Sequence, residues 1–299
     1  MFDLRYHVAS LAAVFLALII GILVGVGISD RGLVDRANNN LLRQRVASLE
    51  RQLTDNAKQT SDRDREQQAA KTFVDDTYPT LVRNRLHGKQ ITVLYVGSDD
   101  SSGIRSAVNR ALFDAGVGPQ QLRLRALSVP IDVKQLDSAL KGQPAAAGLR
   151  GKEEVDNLGR ALGQELMAGG DTPLWNSLTE ALVAHREGGN KPPADGVVVV
   201  RTVTPQHGAT SRFLLGLYSG LASAGAPAVG VEQTDAKNSA IKVFGQSGLS
   251  TVDDLETPVG KLALVLLLDG QPAGHYGVKD SASDGPLPPM PSPAVASGG

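Results

Sequence analysis

The stretch "GVVVVRTV", residues 196–203, decides the fold class of this chain. Its unbroken run of valines is typical of a strand that is buried on both faces of a parallel sheet. A second apolar run, "ITVLYVG" (residues 91–97), precedes a helical pattern over residues 104–115. Because open parallel sheets are built from such strand and helix units, the two stretches indicate an α/β domain.

The same alternation continues on both sides of these two strands. Strands are predicted at "LRLRALSV", "PAVGVEQ" and "LSTVDDL", and helices at residues 155–166, 172–182, 210–224, 240–244 and 258–268. The stretches "FLLGLYSGLA" and "LALVLLL" are too short to cross a membrane and are predicted to be core helices. We therefore predict an open, mostly parallel α/β sheet over residues 88–280. A β-barrel is not expected, because barrel strands are longer and are not separated by helices.

Residues 1–29 form a predicted transmembrane anchor. The apolar run over residues 8–28 is about 31 Å long as a helix, which is enough to span a bilayer. A secretory leader usually has a shorter apolar stretch that ends in an Ala-x-Ala site, whereas this segment ends in Gly25, Gly27 and Ser29. We expect the anchor to remain uncleaved.

Small residues recur at every fourth position of this anchor. They are Ala9, Ala13, Ala17, Gly21 and Gly25, and they end in a GxxxG spacing. Small residues let two helices approach closely in lipid, so the stripe predicts a membrane-helix packing face. The alternative is that alanine and glycine are simply common in membrane helices.

Residues 30–75 are predicted to form a helical stalk that contains a short coiled coil. Leu42, Val46, Leu49 and Leu53 are spaced as the a and d positions of a heptad are. A polar helix that carries such a seam is poorly stable alone in water. We expect a homodimer, with a different coiled-coil partner protein as the alternative.

Composition limits the classes of partner and of chemistry. The chain has 299 residues and a formal net charge of -1, so it lacks the basic excess of proteins that bind nucleic acid. It has no cysteine, which excludes disulfides and thiolate sites. Residues 281–299 are rich in proline and are predicted to form a disordered tail.

No stretch matches a complete catalytic or nucleotide-binding motif. "GQSGL" lacks the second glycine of a nucleophile elbow, and "PVGKL" lacks two elements of a P-loop. "GSDDSSG" (residues 97–103) lies at a strand-to-helix turn, where α/β sheets bind ligands, with helix capping as the alternative. The acidic pairs at residues 99–100 and 253–254 are interpreted as solvated helix caps, with a site for a hard cation as the alternative. We predict a non-enzymatic protein without a bound cofactor.

The histidines are too scattered to predict a preformed metal site. They are His7, His87, His185, His207 and His275, and no two of them have the spacing of a ligand pair. His207, just after a predicted strand end, is the weak candidate for a metal ligand. His185 is predicted at the end of a helix, and the "GHYG" turn (residues 274–277) is expected to dock the last strand or turn.

Several stretches together resemble a known family. They are "LRYHVASLAAVFLALIIGILVG", the stalk, "STVDDLETPVGKLALVLLLDG" and "GHYGVK" before a proline-rich end. In these the chain resembles the actinobacterial MctB family of copper transport outer membrane proteins. The resemblance implies a cell-envelope protein with its domain outside the cytoplasm and a role in copper efflux, homeostasis or permeability, with copper as a possible cargo. It carries over no copper ligand.

Two classes of function remain open at this stage. The resemblance implies a component of copper export or permeability, whereas the architecture favours an envelope scaffold that recruits or regulates a cell-wall or cell-division partner. The orientation is also contested, because the arginines after the anchor favour a cytoplasmic domain by the positive-inside rule. We follow the resemblance and expect an external domain.

Overall fold

The computed structural model describes residues 4–28, 31–97, 102–189 and 191–290. The chain divides into two compact units, Met1–Ala70 and Lys71–Gly299. The first unit contains helix α1 (Leu4–Ile28) and most of helix α2 (Arg31–Val82). The second unit contains the last turns of α2 and the whole of the α/β domain.

Helix α1 contains a segment that has the length and composition of a membrane span. The segment Tyr6–Gly27 has 22 residues, and none of it is buried within the described chain. This is compatible with a membrane anchor and equally with a signal sequence.

Helix α2 is longer than the predicted stalk. It runs for 52 residues and includes Pro79 near its end. Proline removes one backbone hydrogen bond, and the helix ends three residues later, at Val82. Tyr78 and Val82 are buried in the core of the second unit, so the last turns of α2 are part of the folded domain.

The described residues of the second unit form one open sheet of seven strands. The strands are β1 (Ile91–Val96), β2 (Leu122–Leu127), β3 (Val183–Glu187), β4 (Gly196–Arg201), β5 (Ala228–Val231), β6 (Ser250–Val252) and β7 (His275–Tyr276). Their order across the sheet is β3-β2-β1-β4-β5-β6-β7. All neighbours are parallel except β2 and β3, which are antiparallel. The predicted open α/β sheet is thereby confirmed.

Helices cover both faces of this sheet. They are α3 (Ser102–Asp114), α4 (Val133–Ala139), α5 (Val155–Ala168), α6 (Pro173–Ser177), α7 (Thr179–Leu182), α8 (Gly208–Ala222), α9 (Ile241–Gln246) and α10 (Pro258–Leu268). One core contains side chains of α3, α10 and the end of α2, and the other contains side chains of α4 to α9. The central strands β1 and β4 are buried, as expected of a parallel sheet with two covered faces.

Helices α5 and α8 cross in direct backbone contact. A Cβ added at Gly159 or Gly163 of α5 would lie less than 3.0 Å from backbone atoms of α8. The reverse holds for Gly216 and Gly220 of α8, which face the carbonyls of α5. Each helix thus contributes a GxxxG pair to the crossing. The same spacing occurs in α1, but these two pairs lie inside the α/β domain.

The region between α5 and β4 differs from the prediction. The expected single helix over residues 172–182 is divided into α6 and α7, and Trp175, Leu178 and Leu182 of these helices are buried. The prediction for His185 was wrong, because this residue lies on the antiparallel edge strand β3 rather than at a helix end. Edge strands with exposed, charged side chains lack the apolar pattern by which buried strands are recognised.

The folded unit reaches beyond residues 88–280 at both ends. Before this range it includes the buried end of α2. After it, Leu287 packs against the apolar core and Pro288 is buried. The chain is therefore folded as far as Pro288, and residues 291–299 of the predicted tail lie outside the described residues.

Candidate functional site

The carboxyl ends of the parallel strands form the edge at which such sheets bind ligands. The chain leaves β1 towards β2 and leaves β4 towards β5, so the strand order reverses between β1 and β4. A crevice at this point is the usual binding site of doubly wound sheets. Residues 98–101 of the predicted ligand turn lie outside the described residues. The acidic side chains that follow β5 and β6 at the same edge are described in full.

Glu232, which directly follows β5, is buried and fully paired. Only 5% of the residue is exposed. Its carboxylate accepts hydrogen bonds from the Ser239 hydroxyl and from the backbone N–H of Ala240, each at 2.8 Å. The ammonium group of Lys279 lies 2.6 Å from Oε1. Glu232 therefore fixes the start of α9 and at the same time holds the segment that contains Lys279.

Asp253 binds the same C-terminal segment through its backbone. Its Oδ1 accepts hydrogen bonds from the N–H groups of Val278 (2.8 Å) and Lys279 (3.3 Å), and its Oδ2 accepts one from the Ser281 hydroxyl (3.3 Å). Gly277 has a φ of 139°, and a Cβ there would overlap the Asp253 carboxylate. We call residues 275–288 the C-terminal latch, because buried carboxylates of the sheet edge hold it in place.

The first residues of the latch extend the sheet. His275 and Tyr276 form β7 and pair with β6. The Thr251 hydroxyl and His275 Nδ1 are 3.0 Å apart, and the Tyr276 hydroxyl donates to the carbonyl of Pro272. The expectation that the "GHYG" turn docks the end of the domain is confirmed, and the motif has a clear structural role.

Asp254 is buried and orients Thr257, the N-cap residue of helix α10. Its Oδ2 accepts a hydrogen bond of 2.8 Å from the Thr257 hydroxyl, which in turn accepts from the N–H of Gly260. Burial raises the pKa of Asp254 above its ordinary value, and the charges of Asp253 and Glu256 add to this effect. The interpretation of Asp253 and Asp254 as solvated caps was wrong, since both residues are buried.

Two buried arginines on β2 were not recognised from the sequence. The guanidinium groups of Arg123 and Arg125 donate to backbone carbonyls of Pro192 and Glu187, which ties β3 and the following loop to the sheet. Burial lowers the pKa of Arg125 to about 10, and the neighbouring charges of Arg186 and Arg123 act in the same direction. The alternation "LRLRAL" alone suggests an exposed polar face. Carbonyls of Glu187, Gly188 and Pro192 accept from these guanidinium groups, and no local pattern in the sequence predicts that contact.

Among the described residues of the second unit, the structure does not bring the histidines together into a metal site. His207 is exposed and precedes the first residue of α8 without a side-chain capping bond. His185 Nε2 lies 2.9 Å from the Glu187 carboxylate on the surface of β3. Within the described ranges there is no group of three or more histidine, cysteine, aspartate or glutamate residues that could hold a metal ion.

The small-residue stripe and the heptad seam are both uncovered in a single chain. Ala9, Ala13, Ala17, Gly21 and Gly25 lie on α1 and are exposed. A Cβ at Gly21 or Gly25 would meet no atom within 4 Å. On α2 the seam residues Leu42, Val46, Leu49 and Leu53 are between 52% and 68% exposed. The coiled coil and the helix-packing face remain predictions.

These features define a class of protein with one apolar N-terminal helix, a long second helix and an open α/β sheet closed by a C-terminal latch. The family model of the copper transport outer membrane protein, MctB, matches residues 1–287. The chain therefore belongs to the MctB family, and the predicted resemblance is confirmed. No curated protein matches the chain. The family match includes the α1 helix and ends within the latch, so it covers both units.

Proposed function

We propose that the chain is a membrane-anchored, non-enzymatic component of the cell envelope that contributes to copper transport through protein contacts. The observation that carries the proposal is the uncovered apolar span of α1, followed in the chain by a long helix with an exposed apolar seam. The family description supports the link to copper and to the outer membrane. The α/β domain then lies outside the cytoplasm.

The exposed seam supports assembly through α2. Fully burying a valine or leucine side chain contributes about 1.5–3 kcal/mol, so four such side chains on one stripe favour a partner helix. The small residues of α1 support two copies of the same chain, since they allow two membrane helices to approach closely. A homodimer would cover both the small-residue stripe of α1 and the seam of α2, whereas a different coiled-coil protein would cover only the seam.

A scaffold that recruits or regulates a cell-wall or cell-division partner is the second candidate function. The use of the sheet-edge carboxylates favours it: Glu232, Asp253 and Asp254 hold the latch and two helix starts. These carboxyl groups therefore stabilise the fold of the domain. A domain of this kind can act by binding a partner protein on its surface. In this role an effect of the chain on copper transport would be indirect and would follow from the integrity of the envelope.

We expect Gly21→Ile together with Gly25→Ile to weaken self-association in the membrane at least fivefold, because bulky side chains hold the two α1 helices apart. The chain has no cysteine, so Leu49→Cys provides a single crosslinking site on the seam. The measurement is the yield of disulfide-linked dimer of the full-length protein in membranes.

Two matched controls accompany this experiment. Gly27→Ile changes a glycine outside the stripe, where a Cβ also meets no atom within 4 Å, and should leave the dimer yield unchanged. Arg51→Cys places the thiol on the opposite side of α2 from Leu49 and should crosslink poorly. Equal yields with and without the double isoleucine change would show that the stripe is not an interface.

The full-length protein is expected not to bind copper at a preformed high-affinity site. Copper(I) prefers cysteine or clustered methionine, and copper(II) needs several converging imidazoles, whereas His207 stands alone on the surface. The measurement is isothermal titration with copper(I) under reducing conditions and with copper(II). His207→Ala is compared with His87→Ala as a control. Submicromolar, stoichiometric binding that only His207→Ala abolishes would contradict this prediction and favour direct copper handling.

A further inference from the structure

The carboxyl group of Asp254 is buried and incompletely hydrogen-bonded. The residue is 0% exposed, whereas Asp253 and Glu232 are 1% and 5% exposed. Its Oδ2 accepts from the Thr257 hydroxyl, but its Oδ1 has no hydrogen-bond partner among the described residues. Helix α10 packs against this oxygen, since a Cβ added at Gly260 would lie 2.6 Å from it. A buried polar atom without a partner is rare in folded proteins and requires an explanation.

The charged groups that act on Asp254 are both acidic. Asp253 directly precedes it at the end of β6, and Glu256 lies two residues further along the chain. Burial opposes the ionisation of Asp254, and the charges of Asp253 and Glu256 act in the same direction. The Thr257 hydroxyl and the N–H of Asp254 itself favour the ionised form. Such neutral donors offset only part of the cost of burying a charge.

The lysines of the neighbouring elements interact with other groups. Lys279 of the latch is bound by Glu232, and Lys261, the only charged residue of α10, is influenced by Glu256 rather than by Asp254. No cation of the described residues is among the groups that shift the pKa of Asp254. Asp254 therefore differs from Glu232, because a negative charge on it is not balanced by a described lysine or arginine.

We propose that the start of helix α10 is a pH-sensitive element, which is tightened when Asp254 is protonated and loosened when it ionises. The neutral carboxyl group orients Thr257, the N-cap residue, without placing a charge inside the domain. When the proton passes to the solvent, a buried negative charge remains beside Asp253. We expect the first turn of α10 to open then, because water stabilises the charge. The inference goes beyond the proposed function, since it concerns the stability of the domain with any partner.

The direction of the pH dependence follows from the protons bound by the folded and unfolded protein. An aspartate in the unfolded chain ionises near pH 3.9, at about its ordinary pKa, whereas burial raises the pKa of Asp254 in the folded protein. Between these two pKa values the folded protein binds more protons than the unfolded chain, so the folded-to-unfolded ratio falls as the pH rises. The contribution of Asp254 is complete below about pH 3.9 and is lost as the pH rises through its pKa in the folded protein.

The experiment compares the full-length protein in detergent with its Asp254→Asn variant, which keeps the shape of the side chain and cannot ionise. Unfolding by denaturant is followed by Trp175 fluorescence from about pH 4 to about pH 8. The folded-to-unfolded ratio of the wild type, divided by that of Asp254→Asn, should rise as the pH falls, by up to about tenfold per pH unit. Asp269→Asn is the matched control, because Arg85 and Lys89 compensate that carboxylate, and the same quotient should not rise on acidification.

The infrared band of a protonated carboxyl group gives a second measurement, which does not depend on unfolding. The difference between the wild type and Asp254→Asn should contain this band at a pH at which ordinary aspartates are ionised. If Asp254→Asn does not fold, Thr257→Ala replaces it: the loss of a hydrogen bond that favours the ionised form should make the band persist to higher pH. A stability quotient that is constant or falls on acidification would overturn the proposal. The absence of the band, or a band that Thr257→Ala leaves unchanged, would overturn it as well.

Discussion

Gly216→Ala is expected to lower the free energy of unfolding of the α/β unit by about 3 kcal/mol. The added methyl group would meet the backbone of Asp156 on α5, and a carbonyl cannot move aside as the end of a flexible side chain can. Alanine in a helix interior gains up to about 1 kcal/mol over glycine, and the expected loss of about 3 kcal/mol already includes that gain. The two helices must separate or shift along their crossing.

Unfolding of the full-length protein by denaturant is the appropriate measurement. The single tryptophan, Trp175, reports on the crossing because its Nε1–H donates to the carbonyl of Leu162 on α5 at 2.8 Å. Gly189→Ala is the matched control, since a Cβ there meets no atom within 4 Å, and its effect should stay within about 0.5 kcal/mol. Coincident unfolding curves for the two variants would show that the close packing of α5 against α8 does not require glycine at position 216.

Gly277→Ala is expected to release the C-terminal latch. The Cβ would overlap the carboxylate of Asp253, and a φ of 139° is unfavourable for any residue with a side chain. A loss of about 2 kcal/mol in latch stability raises the population of the open latch about 30-fold. The measurement is limited trypsin cleavage after Lys279, whose ammonium group is held by Glu232 in the closed latch.

Gly285→Ala separates the two causes of this effect. Gly285 also has a positive φ, of 92°, but a Cβ there meets no atom within 4 Å. It therefore shares the backbone strain and lacks the overlap with Asp253. Cleavage after Lys279 should rise much less in this variant. If both variants are cleaved equally fast, backbone strain alone explains the role of Gly277.

Much of the fold was predictable because its central strands have a local signal. The valines of β4 and the apolar residues of β1 are buried on both faces, so their sequence identifies them without knowledge of their neighbours. Thr257 and Pro258 likewise identify the start of α10, where the Thr257 hydroxyl accepts from a backbone N–H. These elements are determined by residues close to them in the chain.

The features that were missed depend on contacts between distant residues. The burial of Arg125 depends on β3, which follows it by about sixty positions and supplies the carbonyl of Glu187. The burial of Asp253 depends on the latch residues Val278 and Ser281. Neither can be read from a local pattern, because the same residues would be surface groups without the covering segment. The apolar seam of α2, in contrast, was predicted from the spacing of its own residues, and the helix that would pack against it remains a proposal.

The C-terminal latch also has a consequence for the order of folding. The chain is synthesised from its N-terminus, so Glu232 and Asp253 emerge before the lysine and the backbone N–H groups that neutralise them. Until the latch arrives, Asp253 lacks its partners Val278, Lys279 and Ser281, and Glu232 lacks Lys279. The sheet edge is therefore completed only after the latch has been synthesised, and a chain that ends before the latch leaves Glu232 and Asp253 without these partners.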